Sequence, residues 1–303
     1  MNILRKLYGD TTKNMQIKKL DRSAESVYGK GYVLYEIGRY EDTLQRYDEA
    51  IDIWDKLERL LLADQRYDEA ERVHERMSEA RFNKSFVLYK LSRYDDALNI
   101  IDQALESDPD RPNYLFSRGF VLLALENPDN ALESFKKAAA MAPELADSWY
   151  YQGMIFYHRK HYNRALECYD KALENADTLH FPFPRYSFLN LFPTPQIKDN
   201  NAEILYCKGN TLFEMGRYED ALEVFEAALE TRSQFIEAWQ SIGNTRLKLG
   251  KRDAAHSAFE CVLQLDPTNV DAWRSKGDIL SDMGQIEEAE DAYERSHRSS
   301  TEE

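Results

Sequence analysis

The sequence contains few of the residues that make tight turns, disulfides or membrane spans. Only 12 glycines and 9 prolines occur in 303 residues, which disfavours an all-β fold because such folds need many turns. The three cysteines, Cys168, Cys207 and Cys261, are far apart and form no Cys-x-x-Cys pair, so neither a zinc ribbon nor a disulfide framework is indicated. No apolar run approaches the roughly 18 residues that span a membrane. These absences predict a helical protein of the cytoplasm that has no membrane partner.

Basic residues are in the minority. The 39 lysines and arginines are outnumbered by 54 aspartates and glutamates, which gives a formal charge of −15. Such a surface repels phosphate backbones, so we expect no nucleic-acid partner. The exception is a basic N-terminal segment, 1–23, whose first twenty residues carry five cations against Asp10 alone. This segment either contacts an anionic surface or is a frayed terminus that tolerates charge.

Signals for catalysis are equally sparse. The sequence has no phosphate-binding glycine loop, nucleophile elbow or EF-hand string. His158 and His161 are three residues apart, but a zinc site needs three or four ligands. Cys207 and Cys261 have no histidine in a context that indicates a nucleophile. We therefore predict no catalytic residue, no metal and no cofactor, and the chain is not expected to be an enzyme.

What the sequence does have is a repeat. Glycines recur at intervals of 34 residues, an alanine follows each by twelve positions, and an aromatic residue follows that alanine by four. The glycines are Gly119, Gly153, Gly209, Gly243 and Gly277, and the aromatic residues are Phe135, Tyr169, Phe225, Phe259 and Tyr293. Small residues on the facing stripes of two antiparallel helices allow a close approach, and the ring fills the remaining gap. A helical pair of this kind buries its apolar face only by stacking on its neighbours.

These residues resemble the tetratricopeptide repeat. The match is good in the unit that contains Trp239, Ile242-Gly243, Ala255, Phe259 and Pro267. The resemblance extends over 24–177 and 202–298, with units starting near 24, 51, 78, 112, 146, 202, 236 and 270. It implies an all-α fold, a right-handed α-solenoid of about eight helix–turn–helix units. A heptad coiled coil is disfavoured because the small residues keep a 34-residue spacing.

The regular spacing is broken twice. In the N-terminal repeats, 24–111, Tyr40, Tyr67 and Tyr94 are 27 residues apart, and the linkers that would separate two units are missing. Fusion of neighbouring helices is expected there, at about 41–63 and 68–91, whereas 112–177 and 202–303 hold further regular repeats.

The second break is an insertion at 178–201, which contains four of the nine prolines. Its aromatic side chains argue for packing, because their exposure to water is unfavourable. We consider three placements: in the ligand groove as an internal ligand or gate, on an outer edge, or mobile. The aromatic residues concerned are Phe181, Phe183, Tyr186, Phe188 and Phe192.

The resemblance also implies where a ligand binds. In this family the first helix of each unit lines a concave groove, and its groove-facing side chains follow at three fixed offsets. Mapped onto this sequence, the candidate ligand-binding residues are Tyr28, Tyr32, Tyr35, Phe82, Phe86, Tyr89, Phe116, Phe120, Tyr150, Met154, Tyr157, Asn210, Asn244 and Arg274. Aromatic walls suit an extended proline- or aromatic-rich peptide, and the negative charge suits a basic one. The alternative is that many of these rings are simply packed.

A second use of the fold is the two-carboxylate clamp of Hsp70- and Hsp90-binding cochaperones. Asn210 and Asn244 match its asparagine positions, and Arg274 replaces one lysine. Tyr206 and Asp278 depart from the pattern, since Asp278 puts a negative charge where the carboxylate needs a positive one.

The function predicted from these features is a non-catalytic scaffold or adaptor that binds a peptide or a helix. Two alternatives stay open: a chaperone-type factor that shields hydrophobic clients, and a regulatory subunit of a separate enzyme. Fold alone does not choose among them, and the oligomeric state is left open.

Overall fold

The protein is helical throughout its described part. The structure is a computed structural model that describes the backbone of residues 2–175 and 197–299, with the side chains of 12–175, except Ser107, and 201–298. These residues form fourteen α-helices and no strand, so the all-α prediction is confirmed. The helices are α1 Asn2–Glu36, α2 Tyr40–Ala63, α3 Tyr67–Lys90, α4 Tyr94–Ser107, α5 Pro112–Ala124, α6 Pro128–Met141, α7 Ala146–His158, α8 Tyr162–Glu174, α9 Ile197–Glu214, α10 Tyr218–Thr231, α11 Ile236–Lys248, α12 Arg252–Leu265, α13 Val270–Asp282 and α14 Ile286–Ser299.

The described chain divides into two compact blocks. The N-terminal block comprises residues 2–141, and the C-terminal block comprises 142–175 and 197–299. Each block is a series of antiparallel helices in which every helix packs on the next in the chain. No helix of the described residues is both long enough and apolar enough to cross a membrane.

The recurring Arg-Tyr-acid strings mark the turns inside the repeats. At Arg39, Arg93 and Arg217 the guanidinium pairs with a carboxylate three residues later, at 2.6, 2.7 and 2.6 Å. The carbonyl of the same arginine accepts an amide of the first helical turn, and the tyrosine begins the second helix. The residue before the arginine has a left-handed backbone, as at Gly216 with φ of 75°, which explains glycine at that position.

The small residues lie where the two helices of a repeat touch. A Cβ atom added at Gly209 would lie 2.5 Å from Cε1 of Phe225, and one added at Gly243 would lie 2.7 Å from Cζ of Phe259. The same contact recurs at Gly31, Gly119, Gly153 and Gly277. Because real Cβ atoms do not approach other atoms so closely, glycine is required by space here. The interpretation of the glycine and aromatic spacing is thereby confirmed.

In the N-terminal block the helices are long. α2 and α3 each run through 24 residues without a break, or about 36 Å at 1.5 Å per residue. The fused helices predicted at 41–63 and 68–91 correspond to α2, Tyr40–Ala63, and α3, Tyr67–Lys90. Residues 2–23 belong to the 35-residue α1, and Ile17 is buried with 6% of its surface exposed. The interpretation as a frayed terminus is therefore wrong for residues 12–23.

Fusion places the unit at 51–77 outside the series of regular repeats. Its helices form the far ends of α2 and α3, and their apolar residues, around Trp54 and Leu57, pack on the middle of α1 between Ile17 and Tyr28. At the other end, Leu44 and Tyr47 of the repeat 24–50 share a core with Val87 and Val121. The repeat at 78–111 therefore packs directly on 24–50. We refer to 51–77 as the hairpin extension.

The extension leaves one indole without a partner. In the regular repeats Trp149, Trp239 and Trp273 donate from Nε1 to the carbonyl six residues earlier, at 2.9, 3.1 and 2.9 Å. That carbonyl belongs to the linker between repeats. Trp54 has no such linker because α2 is continuous, and its buried Nε1 has no hydrogen-bond partner among the described residues.

The predicted insertion is described only at its end. Residues 178–196, including the five aromatic residues proposed as a gate, lie outside the described residues. Helix α9 begins at Ile197, so the last five residues of the predicted insertion are helical.

Candidate functional site

The candidate residues of the N-terminal block fall into two groups. Phe82, Phe86 and Phe116 are buried, with 7%, 2% and 7% of their surfaces exposed. Tyr28, Tyr32, Tyr35, Tyr89 and Phe120 are half-buried and keep part of their rings at the surface. Because a buried ring offers little area to a ligand, the first three residues serve the core. We call the half-buried set the first-helix face of this block.

Two members of this face meet across neighbouring repeats. The ring centroids of Tyr89, on α3, and Phe120, on α5, are 5.2 Å apart. Tyr89 also contacts Tyr94 at 5.1 Å, and Phe120 lies 6.4 Å from Phe116. Such contacts hold the rings in place, so a ligand would meet a preformed aromatic surface.

The contact between Tyr89 and Tyr94 is one of a recurring kind. In four repeats the third candidate offset carries an aromatic residue that packs on the aromatic residue five positions later, which begins the second helix. The pairs are Tyr35–Tyr40, Tyr89–Tyr94, Tyr157–Tyr162 and Phe213–Tyr218, at 5.6, 5.1, 5.9 and 5.3 Å. The 27-residue spacing in the sequence marks Tyr40 and Tyr94 but not the ring pair to which each belongs. The spacing of five could have revealed it.

At the other end of the face, Tyr28 is held more firmly. Its ring stacks on Tyr47 at 5.3 Å and lies 5.6 Å from Trp54, and Asn83 donates a hydrogen bond to its Oη. Burial, followed by the nearby Glu79 carboxylate, raises the pKa of Tyr28 well above its ordinary value. Burial also raises the pKa of Tyr35, to about 12. Both hydroxyls therefore stay neutral and can donate hydrogen bonds at physiological pH.

In the C-terminal block one aromatic candidate contacts a thiol. The Oη of Tyr150 lies 3.7 Å from Sγ of Cys207, and Tyr150 also contacts Tyr169 at 6.2 Å. Burial raises the pKa of Cys207 to about 11, so the thiolate that a nucleophile needs is scarce. Met154 and Tyr157 are half-buried. This cluster has the character of a packed apolar surface.

The polar candidates of the same block lie on α9, α11 and α13. Asn210 accepts a long hydrogen bond from Ser241 at 3.4 Å, whereas Asn244 is exposed. Arg274 is exposed and lies 3.7 Å from Asp271. Asp278 accepts a hydrogen bond from Oη of Tyr293 at 2.8 Å. Its carboxylate on α13, the helix that carries Arg274, disfavours a carboxylate clamp at this surface.

Metal and nucleophile chemistry receive no support from the described residues. Within 12–175 and 201–298, no group of three or more histidine, cysteine or acidic side chains is arranged to hold a metal ion. His158 and His161 are exposed at the turn between α7 and α8.

The repeats also identify the family. Two family models, both described as tetratricopeptide repeat, match this chain: one at 56–112, 87–144, 116–179 and 241–302, and the other at 202–235. Together these ranges cover more than half of the residues. The chain belongs to the tetratricopeptide repeat family. No curated protein matches its sequence.

Solved structures of tetratricopeptide repeat proteins share this fold. A tetratricopeptide repeat protein from Parabacteroides merdae ATCC 43184 superposes with a TM-score of 0.57 at 14% identity, over 92% of this chain and 93% of that one. PilW, a type IV pilus biogenesis factor, superposes with a TM-score of 0.55 at 22% identity, over 71% of this chain and 90% of that one. YrrB, described as a TPR protein with an unusual peptide-binding site, superposes with a TM-score of 0.51 at 20% identity, over 66% of this chain and 91% of that one. At these identities the likeness concerns the fold.

Proposed function

We propose that this tetratricopeptide repeat protein is a non-catalytic scaffold that binds a partner polypeptide on its first-helix face. The observation that carries the proposal is the pair of half-buried rings, Tyr89 and Phe120, in contact across two repeats. Their positions are fixed by the turn tyrosine and the core, so binding costs little side-chain entropy. The peptide-binding site named for YrrB is consistent with this use of the fold.

The chemistry of the face points to an extended peptide rich in proline or aromatic residues. Proline-rich segments are already extended when free, and they dock on aromatic grooves with a small loss of entropy. The neutral hydroxyl of Tyr35 adds a hydrogen-bond donor for peptide carbonyls. A net charge of −15 also favours basic residues in the peptide by attraction over long range.

Peptide selection tests the proposal without knowledge of the natural partner. A random peptide library is selected on the full chain, and the enriched peptides are measured against Tyr32→Ala/Tyr89→Ala/Phe120→Ala. Phe86 is left intact because its ring is buried and its loss would disturb folding. The control variant is Tyr67→Ala, which removes a ring that is 63% exposed at the turn between α2 and α3.

We expect proline- or aromatic-rich sequences to be enriched, and their affinity to fall at least tenfold in the triple variant and to stay unchanged in the control. Equal binding to the wild type and the triple variant would contradict the proposal. A chaperone-type role predicts a different result: suppression of aggregation of unrelated unfolded proteins, with no preferred sequence. Selection of one defined motif argues against that role.

The inserted segment calls for one further comparison. If 178–201 acts as an internal ligand or gate, a chain that lacks 179–200 binds the selected peptides more tightly than the full chain. Unchanged affinity would remove that hypothesis.

The cytoplasmic location also stays a prediction.

A further inference from the structure

The outer face of α1 has the residue pattern of a surface that packs on another helix. Ser26, Lys30 and Val33 on α1, and Ile37 in the turn directly after it, follow one another at spacings of three or four, so they form one stripe. Ser26 and Lys30 are exposed, and Val33 and Ile37 are 59% and 64% exposed. We call these four residues the α1 stripe.

In the internal repeats the residue at the position equivalent to Val33 is buried against the preceding repeat. The residues equivalent to Val33 are 0–5% exposed: they are Val87, Val121, Ile155, Thr211, Thr245 and Ile279. Val87 shares a core with Leu44 and Tyr47 of the preceding repeat, and Ile279 shares one with Phe259. Val33 has the residue type of a buried contact but is exposed.

The lysine of the stripe gives an independent indication. At its offset, four internal repeats carry a cation that pairs with a carboxylate on the second helix of the preceding repeat. The pairs are Lys84–Asp48, Arg118–Asp102, Lys208–Asp170 and Lys276–Glu260, at 2.5, 2.7, 2.6 and 3.0 Å. Lys30 forms no ion pair within the part of the chain that the structure describes. It is the cation of a recurring ion pair whose acid is missing.

The helices that cover the internal stripes share a pattern too. Helices α2, α4, α8 and α10 have an apolar residue, an acid four positions later and another apolar residue three positions after the acid, whereas α12 has His256 at the first of these positions. Examples are Leu44-Asp48-Ile51 on α2, Leu98-Asp102-Leu105 on α4 and Leu166-Asp170-Leu173 on α8. The occupant of the α1 stripe should present the same three side chains.

We propose that the α1 stripe is a docking site for an amphipathic acidic helix of a partner protein, which binds as α4 binds α5. Lys18, Lys19 and Arg22, all exposed on α1, extend the positive charge along the helix and favour an acidic partner. A second copy of this chain is a poorer occupant. Its last helix, α14, has Glu290, Glu294 and His297 at the three offsets, so only the acid matches and both apolar residues are missing.

A peptide with the sequence of α4 (residues 94–107), capped at both ends, is the direct probe. Fluorescence anisotropy of the labelled peptide is measured up to millimolar concentrations of the full chain, because an isolated 14-residue helix is marginally stable and binds weakly. A peptide with the sequence of α14 (286–299) serves as the matched control. Val33→Glu and Lys30→Glu change exposed residues, so circular dichroism should show unchanged helicity and melting.

We expect the α4 peptide to bind the wild type and to lose at least tenfold in affinity for Val33→Glu and for Lys30→Glu. The Asp102→Lys peptide should restore binding to Lys30→Glu but not to the wild type. Absence of binding, or equal binding by Val33→Glu, would overturn the proposal. So would tighter binding of the α14 peptide together with self-association of the chain, which would identify a second copy as the occupant. Binding of vesicles with anionic lipids that depends on Lys30, without peptide binding, would identify a membrane surface and also overturn it.

Discussion

Two glycines on α1 allow the role of close helix packing to be measured within one helix. A Cβ atom added at Gly31 would lie 2.8 Å from Cδ1 and Cε1 of Tyr47, whereas one added at Gly29 has nothing within 4 Å. Alanine is a better helix former than glycine by about 1 kcal/mol. Gly29→Ala should therefore stabilise the N-terminal block by about that amount.

Gly31→Ala gains the same propensity but forces the ring of Tyr47 to move. Tyr47 is 3% exposed and stacked on Tyr28 at 5.3 Å, so it has little freedom to shift. Overpacking of this kind costs about 1–3 kcal/mol. The two alanine variants should then differ by about 1–3 kcal/mol in the free energy of unfolding, with Gly31→Ala the less stable.

Urea denaturation of the full chain, followed by circular dichroism, measures this difference. Midpoints should be compared within the same transition, because stacked repeats need not unfold in one step. The combination Gly31→Ala/Tyr47→Leu should recover part of the loss, since contacting residues are not additive. If Gly31→Ala raised the midpoint as much as Gly29→Ala, the packing argument would be refuted.

Three further predictions concern single side chains. Phe225→Ala should cost about 3–5 kcal/mol, because the ring is fully buried; a smaller loss in thermal denaturation than for Phe225→Leu would contradict this. Trp54→Phe should be tolerated better than its burial suggests, since it removes an unpaired buried N–H that costs about 1–3 kcal/mol. Trp239→Phe is the comparison: it removes an N–H that is hydrogen-bonded, so it should lose more stability than Trp54→Phe. An equal change in the free energy of unfolding for both variants would contradict this prediction. Burial raises the pKa of Asp147 from 3.8 to about 6, so the folded state binds more protons in this range and stability falls as pH rises from about 4 to 6. The melting temperature of Asp147→Asn should therefore fall less than that of the wild type between about pH 4 and 6. An identical pH dependence of the two melting temperatures would contradict this prediction.

The regular repeats could be predicted from sequence because each depends on contacts at fixed offsets. The distance from Gly209 to Phe225 along the chain is the same as that from Gly243 to Phe259. One turn geometry therefore places both rings against both backbones. The fused helices follow from a missing linker, which is also visible in the sequence.

The placement of the hairpin extension could not be read in the same way. A missing linker removes the turn that would bring 51–77 beside its neighbours, and only the three-dimensional path of α2 and α3 shows that 24–50 and 78–111 then meet. The ion pair between Asp48 and Lys84 records this contact at 2.5 Å. Its two residues are 36 positions apart, whereas Asp102 and Arg118 are 16 apart.

The burial of some candidate rings could not be predicted from the sequence either. Phe82 occupies the same offset as Tyr28, but its ring lies 4.4 Å from Tyr114 of the next repeat and 4.7 Å from Phe86. The exposure of a ring at a candidate position depends on the size of the side chains in the adjacent repeat. The sequence pattern of one repeat does not contain that information. Half-buried rings such as Tyr89 therefore replace Phe86 in the proposed site.

The most direct test of the proposed binding face is to map where a selected peptide touches the protein. Peptides enriched on the full chain are synthesised with a photoreactive benzophenone, crosslinked, and their attachment points identified by mass spectrometry. The account predicts crosslinks on the first helices of the repeats, at 28–35, 82–89 and 116–123. Crosslinks confined to α2, α4 and α6 would contradict it.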